Sequence, residues 1–358
     1  MKKVLIPTKL DKAAVEILKK NGNYDVVQDD AAKLSELAAK HPETYALIVR
    51  SEKVDTKIID ALPALKVVIR AGAGYDTIDT RYARKKGIDV MNTPGANANA
   101  VAEEVVALML ADARHIVKAD VSTRAGGWEK NAFMGRELTR KTVGIVGLGN
   151  IGRLVAKRLA GFEVRLLGFD PFMSSERATE LNVELTTIDR IFAESDYVTL
   201  HVPENDDTRG MVNATLLGAM KKGATIVNCA RAGIIDEDAM RKAKAEKGLR
   251  FLNDVYPKDE PGAKSVADIA DIMLPHLGAS TKEANQNAAV RAAEELIELD
   301  ERGVTTYIVN RDIPEGLAPE FCELANTLAR LSRCLLGRAA KLNAMHTSFY
   351  GTLKPFSD

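Results

Sequence analysis

Thr142-Val-Gly-Ile-Val-Gly-Leu-Gly-Asn-Ile-Gly152, followed after a second apolar run by Asp170, decides how this chain is read. Thr142 to Val146 is a short β-branched apolar run, as a buried parallel strand requires. Gly147, Gly149 and Gly152 then spell G-x-G-x-x-G, the turn of a dinucleotide-binding βαβ unit. The first glycine allows the tight turn, the second lets the backbone approach a pyrophosphate, and the third lets the helix pack closely on the sheet. The helix opening at Asn150 and Ile151 offers free N–H groups and a partial positive charge to phosphates. Ile151, Val155, Leu159 and Phe162 recur at helical spacing, so the turn leads into an amphipathic helix. The next strand, Val164-Arg-Leu-Leu-Gly-Phe, ends in Asp170. An acid there accepts hydrogen bonds from both hydroxyls of an adenosine ribose and repels a 2′-phosphate, which points to NAD over NADP.

The whole chain has 358 residues, enough for two domains. Its 50 Lys plus Arg balance 50 Asp plus Glu, which gives no global electrostatic case for nucleic acid or an anionic membrane. No apolar run is long enough to span a bilayer. The opening Met1-Lys-Lys-Val-Leu-Ile-Pro reads as a first strand, because charges return at Lys9 and Asp11. Cys229, Cys322 and Cys334 are odd in number and lack C-x-x-C spacing; they read as reduced thiols of a cytoplasmic protein, with no zinc or other metal site expected.

Strands and helices alternate along most of the chain. Apolar runs at Val4–Ile6, Ala46–Val49, Val67–Ile69 and Val90–Met91 form one βα series. A long helix is expected from about Asn99 to Val117, then a loop at Gly126–Gly135. A second series starts at Thr142, with later strands Val198–Val202, Thr225–Cys229, Phe251–Val255 and Ile272–Leu274. A helix from Thr281 to Glu301 returns the chain to the first domain, which Tyr307-Ile-Val closes. The expected fold class is α/β, with two Rossmann-like parallel-sheet domains. One is a flavodoxin-like domain of residues 1–98 and 291–313, and the other a dinucleotide-binding domain of residues 99–290. Residues 314–358 form an extension, where Phe321, Leu324, Leu328, Leu331 and Leu335 share a helical face and Met345-His-Thr-Ser-Phe-Tyr-Gly-Thr-Leu alternates like a strand. This extension reads either as the start of a truncated regulatory domain or as a tail.

In open α/β sheets ligands bind at strand C-termini. Three segments there carry polar residues suited to catalysis. Thr225-Ile-Val-Asn-Cys-Ala-Arg-Ala-Gly233 brings Arg231 out of a buried strand among small neighbours. A guanidinium holds a carboxylate through two parallel hydrogen bonds, although a surface arginine in a turn fits the segment too. Asp254-Val-Tyr-Pro-Lys-Asp-Glu-Pro261 is rich in acids, as a solvated loop also is. Leu274-Pro-His-Leu-Gly-Ala-Ser-Thr281 places His276 between a strand and a helix, where it serves either as a proton carrier or as a structural histidine. Together the three suit hydride transfer at a 2-hydroxy acid: arginine binds the carboxylate, histidine moves the proton and a carboxylate tunes the histidine.

Six segments carry a resemblance to the D-isomer-specific 2-hydroxyacid dehydrogenases. They are Arg70-Ala-Gly-Ala-Gly-Tyr-Asp, Met91-Asn-Thr-Pro-Gly-Ala-Asn, Val101-Ala-Glu-Glu-Val-Val-Ala-Leu-Met-Leu, the glycine fingerprint, Asn228-Cys-Ala-Arg-Ala-Gly and His276-Leu-Gly-Ala-Ser-Thr-Lys-Glu-Ala. The resemblance covers roughly residues 1 to 310. It implies Arg231, a glutamate and His276 as the catalytic set. The loop after Asp254 is one residue longer than the family pattern; Glu260, which directly precedes Pro261, is taken as the glutamate, with Asp259 as the alternative. NAD is implied to touch Ala73, Asn150, Ile151, Asp170, Val202, Cys229, Ala230, Arg231, Asp254, His276, Gly278 and Ala279, besides the three glycines. The implied substrate is D-3-phosphoglycerate, held by Arg231, His276, Gly72, Ala73 and Gly74, with Arg50 and Arg70 for its phosphate. Lys130 and Arg136 are further cations able to reach a neighbouring subunit. A homodimer or homotetramer is implied as well. Other 2-hydroxy acids, such as glyoxylate or hydroxypyruvate, remain open, as does a dehydrogenase-like corepressor that uses NAD as a signal.

Overall fold

The computed structural model describes residues 1–311 together with Thr327, Leu328 and Leu331. The expected strand near the C-terminus and most of the expected apolar face after Pro314 lie outside the described residues; Leu328 and Leu331 are helical and exposed. Among the described residues, no helix is long and apolar enough to cross a membrane.

The chain divides into two compact units, Met1–Ala96 with the chain from Asn285 onward, and Asn97–Ala284. The expected divisions at 98/99 and 290/291 differ from these by a few residues. The second crossing falls inside one continuous helix, Lys282–Arg302, where sequence carries no turn signal to mark it.

The first unit holds five parallel strands: β1 (Lys2–Ile6), β2 (Tyr24–Gln28), β3 (Thr44–Val49), β4 (Val67–Arg70) and β5 (Asp89–Asn92), in the order β2-β1-β3-β4-β5. This is the flavodoxin-like order. Both faces are covered, as a parallel sheet demands. Val4, Ile6, Ala46, Ile48, Val67 and Ile69 pack with Ala289, Ala292, Ala293 and Leu296 of the helix Lys282–Arg302. Leu5, Leu47, Val49, Val68 and Val90 pack on the opposite face with Leu37, Ile58 and Ile59. Tyr307-Ile-Val adds a short antiparallel bridge to β5, with Val309 N–H donating to Val90 O at 2.8 Å. The strand Tyr24–Gln28 is absent from the sequence reading because it is at the sheet edge and mostly half-buried, so its apolar pattern is weak.

The second unit holds seven parallel strands: β6 (Thr142–Val146), β7 (Arg165–Phe169), β8 (Val183–Leu185), β9 (Tyr197–Leu200), β10 (Thr225–Asn228), β11 (Arg250–Asn253) and β12 (Ile272–Met273). Their order, β8-β7-β6-β9-β10-β11-β12, is doubly wound, with the switch point between β6 and β9. The expected helix Asn99–Val117 is two helices, Ala98–Ala113 and Ile116–Arg124, broken where His115 turns left-handed at φ 51°. The first carries its apolar residues inward, with Val101, Val105, Leu108 and Met109 buried. The second has no buried residue and leaves Ile116, Val117 and Val121 exposed.

Candidate active site

The glycine turn has the geometry its sequence requires. Gly147 adopts φ 92°, and a Cβ there would lie 2.5 Å from His201 O. A Cβ on Gly152 would fall 2.0 Å from Gly147 O, so the helix packs against the turn more closely than any side chain permits. At Gly149 a Cβ would meet nothing within 4 Å, which leaves that side of the turn open to a ligand. Gly149 caps the helix Asn150–Leu159 without any side-chain hydrogen bond, so its first N–H groups remain for an anion. Asp170 follows β7. Its carboxylate accepts from Leu148 N–H at 2.7 Å and Phe172 N–H at 2.9 Å, holding the turn while its remaining lone pairs stay available to hydroxyls. Val202 is beside Gly147, its Cγ1 3.0 Å from where a Cβ there would stand.

β10, β11 and β12 are neighbours, and their C-terminal ends carry the three candidate segments along one edge of the sheet. Asn228 shapes the first. Its side chain accepts from Ala230 N–H at 3.1 Å and donates to Arg231 O at 2.9 Å, while Arg231 Nη1 donates to Ala230 O at 2.7 Å. Asp254 directly follows β11, is 1% exposed, and accepts from Leu277 N–H at 2.7 Å and Gly278 N–H at 3.0 Å. His276 itself sits at φ 57°, a left-handed conformation that a non-glycine residue keeps only when its surroundings impose it.

His276 Nδ1 donates to Asp259 Oδ2 at 2.6 Å. The carboxylate against the ring is thus that of Asp259, and Glu260 does not fill that place. Glu260 faces solvent beside Lys258 Nζ at 3.9 Å. Its place directly before Pro261 is a sequence landmark, whereas the path of this exposed loop brings Asp259 to the imidazole. Exchanging Asp259 for asparagine is expected to lower turnover by at least about ten-fold and shift its pH profile, since an amide no longer stabilises the imidazolium. Glu260→Gln should leave both nearly unchanged. Steady-state rates across pH for the two variants decide between them.

His201, the other histidine near the glycine turn, is wholly enclosed; burial pushes its pKa down to about 3, so it stays neutral. Arg136 is not placed as a substrate cation. It donates to Asp112, to Thr225 and to Gly223 O, and its guanidinium lies 4.8 Å from the Tyr197 ring centre. Lys130 remains beside exposed Trp128.

In the first unit, Arg50, Arg70 and Gly72–Gly74 gather at the ends of β3 and β4. Arg70 Nε donates to Arg50 O at 3.0 Å. Arg70 folds over Gly72, where a Cβ would overlap its guanidinium at 1.5 Å. Asn92 donates to Ala73 O at 2.6 Å and Thr93 N–H to Gly72 O at 3.0 Å, fixing the loop backbone.

Residues 106–278 match the family model for the NAD binding domain of D-isomer specific 2-hydroxyacid dehydrogenases. A hydroxypyruvate reductase of Thermotoga maritima is 41% identical over 293 residues, covering 80% of this chain and 94% of that protein. The chain belongs to the D-isomer-specific 2-hydroxyacid dehydrogenases. A D-3-phosphoglycerate dehydrogenase of Archaeoglobus fulgidus is 38% identical over 95% of this chain. The chain spans 66% of the length of that relative and 65% of its counterpart in Synechocystis. The NAD⁺-bound 3-phosphoglycerate dehydrogenase of Entamoeba histolytica superposes with a TM-score of 0.73 at 29% identity, covering 87% of this chain and 99% of that one. The second unit is therefore the NAD-binding domain of this dehydrogenase family.

Glu104 and Asn228 have no role in the sequence reading, although both fall in the quoted segments. The signal for Glu104 was present: it lies at helical spacing between Val101 and Leu108, on the stripe that is buried.

Replacing Asp170 by alanine is expected to lower the ratio of NAD affinity to NADP affinity by about ten- to a hundred-fold, the worth of a hydrogen bond to a charged group. It should also weaken both dinucleotides, because Leu148 N–H loses its acceptor. Parallel binding titrations with the two cofactors measure this, and an unchanged ratio would remove Asp170 from the ribose.

Proposed function

We propose that this chain oxidises D-3-phosphoglycerate at C2 to 3-phosphohydroxypyruvate in an NAD-dependent reaction, the entry to serine biosynthesis. The observation that carries the reading is the His276–Asp259 pair on the sheet edge that also carries Arg231. Arg231 binds the substrate carboxylate and steadies the oxygen on C2. His276, its Nδ1–H engaged by Asp259, takes the C2 hydroxyl proton at Nε2. The Asp259 carboxylate stabilises the imidazolium so formed. Bound NAD supplies the hydride acceptor. The glycine turn, the helix start at Asn150 and Ile151, Asp170 and Val202 would hold it, with Cys229, Ala230, Asp254, Gly278 and Ala279 bordering the reacting end. Gly72, Ala73 and Gly74 would offer backbone N–H groups to the substrate, with Arg50 and Arg70 as the phosphate ligands. The phosphoglycerate dehydrogenases among the relatives support that choice of acid.

The second reading is a hydroxypyruvate or glyoxylate reductase, favoured by the Thermotoga relative, whose length this chain nearly spans. A homodimer is the minimal assembly we infer, with a homotetramer as the larger form. Exposed Ile116, Val117, Trp128 and Met134 lie in the stretches Asn99–Val117 and Gly126–Gly135, which resemble the dimer-forming region of the family. Cytoplasmic location accords with cysteines spaced for no disulfide framework.

A steady-state assay of reduced nicotinamide formation tests the reading, with D-3-phosphoglycerate and NAD, and with glycerate and NADP as controls. Turnover with phosphoglycerate and none with glycerate supports the phosphate-bearing substrate. Turnover with hydroxypyruvate or glyoxylate alone, in the reductive direction, replaces it with the second reading. NAD binding without any turnover points to a signalling role.

A further inference from the structure

Glu104 takes no part in the mechanism above, yet it lies against the turn that follows His276. One of its carboxyl oxygens, Cys229 Sγ and one Asp254 carboxylate oxygen lie within 4.8 Å of one another. Glu104 Oε2 is fully enclosed and has no hydrogen-bond partner. It also stands 3.1 Å from where a Cβ on Gly278 would be, so the turn backbone passes directly over it. Asp254 spends its carboxylate on Leu277 N–H and Gly278 N–H, the two residues after His276. Two ionised carboxylates at this separation and burial would repel, and the one free to move would pull away.

We propose that Glu104 is a positioning residue: as a neutral carboxyl packed against the Asp254 carboxylate, it keeps Asp254 clamped on the Leu277–Gly278 turn, and so fixes His276 and the dinucleotide-binding edge. The role rests on the reading of His276 and of this edge given above.

The charge balance agrees with the geometry. Burial first, and then the Asp254 charge, push the Glu104 carboxyl up to about 8, against a small opposing pull from the Cys229 thiol. Burial and the two acids hold the Cys229 thiol well above its ordinary value, so it is neutral. The other charged groups on the packed elements are engaged elsewhere. Arg231 donates to Ala230 O, Arg158 of the helix Asn150–Leu159 reaches Asn99 and Glu103, and His276 is on Asp259. Glu104 therefore gives up its proton as pH rises through about 8, not near the ordinary glutamate value. The clamp is complete well below that pH and is lost above it. The same sign holds for stability: the folded chain binds the proton more tightly than the unfolded one, so this contribution declines as pH climbs from about 4.5 and is gone above about 8.

The test is the NAD dissociation constant of the full chain, without substrate, by fluorescence titration from pH 6 to 10. The unsubstituted chain should lose affinity several-fold with an inflection near 8. Glu104→Gln, which cannot ionise but retains a donor toward Asp254, should bind as tightly as the unsubstituted chain does at low pH and show no inflection. Glu104→Met, which also cannot ionise, replaces it as the test if the glutamine variant does not fold. A flat profile in the unsubstituted chain, or the same inflection in the variants, overturns the proposal. Because no turnover is read, a chain that oxidises no 2-hydroxy acid but shows the inflection and its loss would overturn the catalytic reading and leave the Glu104 clamp standing.

Discussion

Replacing His276 by alanine is expected to lower turnover by about a hundred- to ten-thousand-fold while NAD still binds, the range that a positioned acid–base group contributes. The ring is bonded through Nδ1 to Asp259 at 2.6 Å, which fixes its tautomer and leaves Nε2 for the substrate proton. Its backbone is held at φ 57° by a turn whose next two N–H groups are tied to Asp254. The ring is thus oriented from both ends, as proton transfer requires. His201 is no substitute: enclosed and neutral, with its pKa pushed down to about 3, it cannot store a proton near neutral pH. The check combines turnover with an NAD binding titration. A loss of turnover with binding kept assigns the proton to His276. Near-normal turnover would remove it from the chemistry, and joint loss of binding would make it structural.

Gly152→Ala should abolish measurable NAD binding and lower stability by about 1–3 kcal/mol, the usual result of forcing atoms into a packed site. The added methyl would stand 2.0 Å from Gly147 O and 3.3 Å from Ile145 Cγ2, and the first of these is backbone that cannot rotate aside. Relief requires the helix Asn150–Leu159 to lift from β6, which carries its N-terminus away from the phosphate position. Gly149→Ala provides the contrast. Its Cβ meets nothing within 4 Å, so the fold should keep its melting temperature while the methyl fills the side from which a pyrophosphate approaches. Thermal unfolding and cofactor titration of the pair separate the two effects. Equal loss of stability in both variants would contradict the packing account of Gly152, and undiminished NAD affinity in the Gly149 variant would place the pyrophosphate elsewhere.

Much of this architecture was legible before any coordinates, because its signals are local. Thr142–Val146, the three glycines and Asp170 form one short contiguous unit whose glycines answer to backbone sterics alone. Alternating apolar runs and amphipathic stretches marked the parallel sheets, since strands buried on both faces must be apolar throughout. Arg231 and His276 stand out as candidates for the same reason: each follows such a run directly.

Other features depended on how distant segments meet. β2 and β8 are not marked in the sequence because they are edge strands, β2 mostly half-buried and β8 only three residues long, so neither shows a strong apolar pattern. The break at His115 has no proline or glycine to announce it; it forms where the buried helix ends and an exposed one begins. Asp259 and Glu260 are adjacent acids in a long loop, and nothing along the chain distinguishes them. Only the fold of that loop turns one toward an imidazole that follows a different strand. Glu104 is the same case: its spacing marked a buried position, but its meaning comes from Asp254 and Gly278, brought beside it by β11 and the turn after β12. Local sterics and periodicity are written in neighbouring residues, whereas a pair of side chains gains its chemistry from a distance that tertiary packing alone sets.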